Sequence, residues 1–267
     1  MKRMIYQVSV GKPSNLYVQC MKSVEAYCKE YGIDHIVQTK PILCIRPDPF
    51  NTGRSPESYG RLGYLPIYEK ENAFNYLDDY DQIAIVDADI WIRPGAWNIF
   101  DYFEPDVDFG GVVEREMPVT PEYGQKIKNY SMMQYQRLGR VDWHWDHPYG
   151  GQFFNMGLML MNKSIKKYLK GQTPEQFIRR SEFKDLVDGV GAWKWSTDQT
   201  LLNYWVRDSG MKYQKMPWHW NALFKGVKDE SIPDAQFIHF FLKDKLPGRG
   251  EDFNFLISNI HNIQGFR

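Results

Sequence analysis

After Gln82 the chain runs Ile83-Ala84-Ile85-Val86 without polar alternation, and the run ends directly in Asp87-Ala88-Asp89. A strand with one wet face alternates polar and apolar residues. An unbroken apolar run is the pattern of a strand buried on both faces, which belongs to α/β proteins whose helices cover a mostly parallel sheet. Phe153–Met161 (FFNMGLMLM) is a second run of this kind.

The flanking segments suit that class. Ile5–Val10 reads as a strand ended by Gly11-Lys12-Pro13. Tyr17, Cys20, Met21, Val24, Tyr27, Cys28 and Tyr31 recur at helical spacing, and Gly32 closes that helix. His35–Gln38 follows as a strand. Strand–helix–strand favours a parallel pairing. Further on, the pattern predicts helices over 65–77, 94–103, 163–170 and 174–187, with a helix through Val206 opened by a capping box from Ser196 to Gln199. Strands are expected at 108–113, 212–216 and 236–241. Residues 46–60 read as loop, and 114–150 show no clear period. With no repeat and no clear linker, we expect one domain over 1–267. Residues of about 1–110 would hold a nucleotide, and about 111–267 would complete the site and select an acceptor.

Composition excludes several functions. Lys plus Arg equals Asp plus Glu at 33 each, so the chain lacks the basic field of a nucleic-acid or anionic-membrane binder. Three cysteines form no disulfide framework, and Cys20 and Cys28 fall in the helical stripe as core thiols. The start, MKRMIYQVSVGKP, is neither signal peptide nor anchor, and no run approaches the ~18 apolar residues of a membrane span. The expectation is a soluble, cytoplasmic protein. Aromatics reach 16%. Trp143, Trp145, Trp193, Trp195, Trp218 and Trp220 serve either as a sugar-stacking acceptor surface or as core. His144 and His147 lack the further ligands of a zinc centre.

Asp87 and Asp89 lie just beyond the carboxyl end of a buried strand, where open α/β sheets place ligands. Residues two apart on extended chain share a face, so both carboxylates can converge on one ion. A divalent cation bridging carboxylates and a nucleotide diphosphate would stabilise the charge of the departing phosphate, and hard oxygen ligands suit Mg²⁺ or Mn²⁺.

In four segments the sequence resembles the GT-A glycosyltransferases, above all glycosyltransferase family 8, the glycogenin-like and galactosyltransferase-like enzymes. The segments are Lys70–Ile90 (KENAFNYLDDYDQIAIVDADI), Phe154–Asn162 (FNMGLMLMN), Thr197–Asn203 (TDQTLLN), and Ile238-His239-Phe240 with Lys243 and Lys245 beyond. The fourth departs from the family pattern: Leu242 stands where the family has Gly, and Leu246-Pro247 replace Pro-Trp. The resemblance implies a single Rossmann-like domain with a mixed, mostly parallel central sheet flanked by helices. It implies a metal held by Asp87, Asp89 and His239, with the imidazole favouring Mn²⁺ over Mg²⁺.

By the same resemblance, Val8, Ser9 and Val10 line the nucleoside, where Tyr17 is a candidate to stack on the base. Ala88 lies between the metal carboxylates. Lys70, in preference to Arg61, contacts donor sugar or phosphate. Asn155 and Gly157 face the donor, with Gly157 admitting close backbone approach. Lys245, with Lys243 as the alternative, meets the diphosphate. Asp198 and Gln199 stand at the reaction centre, Asp198 as the catalytic carboxylate. The implied reaction moves a sugar from a nucleotide diphosphate, UDP by analogy with GDP still open, to a glycan or other hydroxyl acceptor with retention. The competing readings are a sugar-phosphate nucleotidyltransferase, disfavoured by the Gly-poor Val10–Ser14 segment, a non-catalytic carbohydrate-binding module, and an inactive scaffold on the same fold.

Overall fold

Asp87-Ala88-Asp89 bridges two sheets. The structure, a computed structural model, describes residues 1–55 and 62–259, so Arg61 lies outside it. The strands are β1 (Arg3–Val8), β2 (Asp34–Gln38), β3 (Gln82–Val86), β4 (Ile90–Ile92), β5 (Phe109–Val113), β6 (Phe154–Asn162), β7 (Tyr213–Lys215), β8 (Ala222–Leu223) and β9 (Phe237–His239). The larger sheet has the order β2-β1-β3-β6-β5-β7, and the smaller β4-β9-β8. In the larger sheet β6 pairs antiparallel with β3 and β5, and the other pairings are parallel, so β6 alone runs against the rest. This is the mixed, mostly parallel sheet expected. Every residue of β3 and of β6 is buried, the polar Gln82, Asn155 and Asn162 included, in keeping with their mostly apolar sequences.

Three longer helices flank the strands: α1 (Asn15–Tyr31), α2 (Pro121–Tyr135) and α3 (Asp198–Asp208). The Ser14 side chain caps α1 by accepting from Tyr17 N. Leu16, Cys20, Val24, Tyr27 and Cys28 form the buried stripe, and Gly32 ends the helix at φ 64°, a left-handed position suited to glycine. This helix also holds the smaller sheet: Ser23 Oγ accepts from Ile92 N at 2.9 Å, and Tyr27 OH accepts from Ile99 N at 2.7 Å. Among the described residues, no helix is long and apolar enough to cross a membrane.

Several local expectations change. The first strand begins at Arg3 and ends at Val8, two residues earlier than its apolar pattern suggests at each end. No helix forms over 94–103: Gly95 takes φ 76°, and only a 3-10 turn at Ile99–Asp101 follows. The segments 163–170 and 174–187 are broken into short turns, with Lys170 left-handed and Arg180 extended. Helix α2 falls inside the region without clear period. Its buried face includes Gly124, Ser131 and Gln134, which dilute the apolar signal; Thr120 as cap and Pro121 in the first turn were its sequence marks. The cap of α3 is Thr197, accepting from Gln199 N, because Ser196 Oγ instead donates to Leu186 O at 2.6 Å.

The expected helix over 65–77 is a 3-10 segment, Pro66–Tyr76. Its polar side chains are tied in different directions. The fully buried Glu69 carboxylate accepts from Gln38 Nε2 (2.7 Å) and from the backbone N–H groups of Ile42 (2.8 Å), Leu43 (3.1 Å) and Cys44 (2.8 Å). Asn72 Nδ2 donates to Tyr6 OH on β1 at 2.9 Å. Glu69 thus moors the 40–44 loop to the segment that carries Lys70. Replacing it orphans several donors, each costing roughly 1–3 kcal/mol when buried. Glu69→Ala is expected to lower the unfolding free energy by about 3 kcal/mol, read from the denaturant midpoint; a loss below about 1 kcal/mol would show that the loop is held by other contacts.

Candidate functional site

Asp87 leaves β3 still in register with β6, its N–H donating to Gly157 O at 2.8 Å. Two residues later Asp89 O accepts from Phe240 N at 3.0 Å, and β4 pairs antiparallel with β9 in a register that sets Ile90 opposite His239. The strand order therefore brings an imidazole from far along the chain to the acidic pair. His239 Nε2 lies 3.2 Å from Asp89 Oδ1 and 3.9 Å from Asp87 Oδ2. One ligand atom from each of the three residues falls within 4.8 Å of the others.

The donor set, two carboxylates and an imidazole, fits a divalent ion of the Mn²⁺ or Mg²⁺ type. Among the described residues it is the only His, Cys, Asp and Glu group that meets this criterion, and none forms around His144 and His147. Burial works against a charged His239, but the Asp89 carboxylate, with Asp87 behind it, holds the imidazole pKa above its ordinary value. Burial likewise opposes ionisation of Asp89, and the neighbouring His239 outweighs it, keeping that carboxyl below the usual range.

Lys70 ties this group to α3. Its ammonium lies 2.9 Å from Asp87 Oδ1, 2.7 Å from Asp198 Oδ2 and 3.0 Å from Met156 O. The ammonium hydrogen-bonds Asp87 and Met156 and forms an ion pair with Asp198, so its near shell is occupied by protein oxygens. Burial disfavours the Lys70 charge, yet Asp198 and then Asp87 raise its pKa further, so it stays protonated. Burial, reinforced by Asp87 and opposed by Lys70, pushes Asp198 above the ordinary carboxylate range.

These groups surround a cavity of about 840 Å³. Val8, Ser9, Val10 and Tyr17 form part of its wall; Lys70, Asp87, Ala88, Asp89 and Asp198 also line it. His239 is buried behind the two carboxylates. Tyr17, in the cavity with the acidic pair, has its pKa raised to about 12, by burial first and then by Asp89 and Asp87. Three lysines line the cavity, Lys12, Lys70 and Lys243, and Lys243 comes from the late chain, 5.1 Å from the Tyr17 ring centroid and 3.7 Å from Glu251. Lys245, favoured on spacing, lines a separate cavity with Lys126 and Lys225, because the 3-10 turn at Lys243–Lys245 points the two lysines apart.

Gln199 and Asn155 line a neighbouring cavity of about 300 Å³ with Glu114, Tyr130 and Thr197. Adjacent residues at the start of α3 thus face two hollows, Asp198 the larger and Gln199 the smaller. Gln199 Oε1 accepts from Met156 N at 3.1 Å. Gly157 lies against the imidazole: a Cβ there would fall 2.4 Å from His239 Cε1 and 2.7 Å from Nδ1. The space this glycine leaves is taken by the ring. Asn221, which bonds the ring, and Glu114, which bonds Asn155, were not singled out by the sequence, and their only sequence sign is a polar residue beside apolar strands. Of the tryptophans, Trp143 and Trp220 belong to the core and Trp145 and Trp195 are exposed.

No protein-family model matches this sequence, and no curated protein matches it. Solved structures do. A glycosyltransferase involved in the glycosylation of the major capsid of PBCV-1 superposes with a TM-score of 0.51 at 14% identity, covering 97% of this chain and 100% of that one. The galactosyltransferase LgtC, in complex with donor and acceptor sugar analogs, gives 0.50 at 16% identity over 89% of this chain and 86% of its own. The glycosyltransferase GlyE of Streptococcus pneumoniae gives 0.50 at 14% identity, covering 98% of this chain and 62% of that one. The chain has the GT-A glycosyltransferase fold.

Two outcomes follow from the site geometry. A proton on His239 competes with a cation for Nε2, so Mn²⁺ affinity should fall as pH drops through the raised imidazole pKa, above 6.5. Calorimetry in two buffers of different ionisation enthalpy should then show proton release on binding; an affinity flat between pH 6 and 9 would exclude the imidazole as a ligand. Gly157→Ala should displace the ring and weaken Mn²⁺ binding by roughly 10- to 100-fold while circular dichroism stays unchanged. Undiminished affinity in that variant would show that the ring position is not needed.

Proposed function

We propose that this chain transfers a sugar from a nucleotide diphosphate donor, UDP-linked by resemblance, to a hydroxyl acceptor, with retention at the anomeric carbon. The observation that carries this reading is the convergence of Asp87, Asp89 and His239 at the edge of a cavity large enough for a nucleotide-sugar, with Asp198 on its wall. A divalent ion held by those three residues, Mn²⁺ in preference to Mg²⁺, supplies charge stabilisation to the diphosphate.

The other roles belong to the chain itself. The front half, through Val8, Ser9, Val10 and Tyr17, holds the nucleoside. Lys243 neutralises the diphosphate as the bond from the anomeric carbon to the phosphate oxygen breaks. Lys70 keeps Asp198 and Asp87 in place and screens one carboxylate from the other. Asp198 faces the sugar, and Gln199, around the corner in the neighbouring hollow, faces the acceptor. The acceptor oxygen bonds to the anomeric carbon, and its proton passes to a departing phosphate oxygen. Because Asp198 on the larger cavity and Gln199 on the smaller are consecutive residues, the reaction centre would lie at the start of α3, with the donor on the β1 side and the acceptor on the α2 side.

The test is a calorimetric panel of nucleoside diphosphates and nucleotide-sugars, with Mn²⁺ and with chelator. At least one nucleoside diphosphate should bind more tightly with metal. If none does, the enzyme reading fails, and binding of glycan alone would favour a carbohydrate-binding module. Asp89→Ala should lower metal-dependent turnover by about 100-fold or more with the fold intact; full activity in it would remove the site assignment.

A further inference from the structure

Resting on the metal reading of Asp87, Asp89 and His239, we propose that Asn221 is a positioning residue that holds His239 with a hydrogen on Nδ1 and its Nε2 edge turned to the two carboxylates. One group beside Asn155, the backbone N–H of Gly157, can only donate. Gly157 N lies 3.0 Å from Asn155 Oδ1, so that atom of the Asn155 amide is the oxygen. Its Nδ2 then faces Glu114 Oε2 at 3.0 Å, and Tyr123 OH donates to the other Glu114 oxygen at 2.7 Å.

Asn221 approaches the same Asn155 Oδ1 at 2.9 Å and must present its NH₂ there. The opposite end of the Asn221 amide, Oδ1, is left facing His239 Nδ1 at 3.0 Å. A carbonyl oxygen only accepts, so Nδ1 carries the hydrogen. The direction of every bond in this chain is set by one backbone N–H, and the usual ambiguity of amide and imidazole orientation is removed by it. Asn221 is fully buried, so bulk solvent does not reach its side chain.

The partner of the second ring nitrogen fixes both the tautomer and the rotation of a metal-binding histidine. Gly157 closes one side of the ring and Asn221 anchors its Nδ1 edge, so Nε2 points toward Asp89 without adjustment. Asn155 acts in the same device. Its carbonyl oxygen already accepts from Gly157 and Asn221, which makes it a support of the imidazole as much as a wall of the acceptor-side hollow.

The test uses the full chain labelled with ¹⁵N at histidine, free of metal and loaded with Mg²⁺. The expected spectrum has a proton on His239 Nδ1 in both forms; an Nδ1 without a proton in either form overturns the proposal. Asn221→Ala should bind Mn²⁺ roughly 10- to 100-fold more weakly, with thermal unfolding still cooperative, and should lose the single Nδ1–H signal. Wild-type affinity in that variant overturns the assigned role. If the native chain binds no divalent ion, the metal reading fails by itself, while the metal-free spectrum still shows whether Nδ1 carries a hydrogen. If Asn221→Ala does not fold, the native spectra decide.

Discussion

The pairing of Ile90 with His239 across β4 and β9 is the constraint on which the site depends. The two sheets are joined by a three-residue bridge, and that bridge is the acidic pair with one alanine between. Because β3 ends in the larger sheet and β4 begins in the smaller, Asp87 is anchored to Gly157 and Asp89 to Phe240 by backbone hydrogen bonds. The carboxylates are therefore placed by main-chain ladders, which are far stiffer than side-chain contacts. An imidazole at the end of β9 has one place to go.

Around this ladder the charges nearly balance. Asp87, Asp89 and Asp198 face Lys70 and His239 in a partly buried volume. Buried carboxylates need partners, since desolvation of an unpaired ion is costly. Lys70 meets the need for Asp87 and Asp198 at once, and the imidazole meets it for Asp89. The arrangement leaves net negative charge on the cavity side, which is the electrostatic condition for attracting a cation and, with it, an anionic diphosphate.

The 3-10 segment that carries Lys70 serves both the fold and the site. Glu69 points away to moor the 40–44 loop, Lys70 points inward to the carboxylates, and Asn72 ties to Tyr6 on β1. On the far side, α3 begins at a threonine cap that sets Asp198 and Gln199 toward different hollows. The start of one helix thereby separates the space proposed for the donor from the space proposed for the acceptor.

Much of this was legible in the residues. The unbroken runs at 83–86 and 153–161 required strands buried on both faces, and a sheet with helices on each side follows from that. The Asp-Ala-Asp at a strand end marked the candidate site, although the two carboxylates converge through a turn, in which Ile90 N donates to Asp87 O at 3.1 Å, and not along extended chain. Helix α2 was hidden since its inward face carries Gly124, Ser131 and Gln134, which burial can accommodate but a periodicity reading cannot detect. What only the tertiary structure decided were relations between distant segments: that Lys243 and not Lys245 turns to the central cavity, that Gly157 makes room for an imidazole, and that Asn221 meets His239. Local pattern reports which face a residue prefers. Which groups share that face is set by strand order and register, and these are properties of the whole chain.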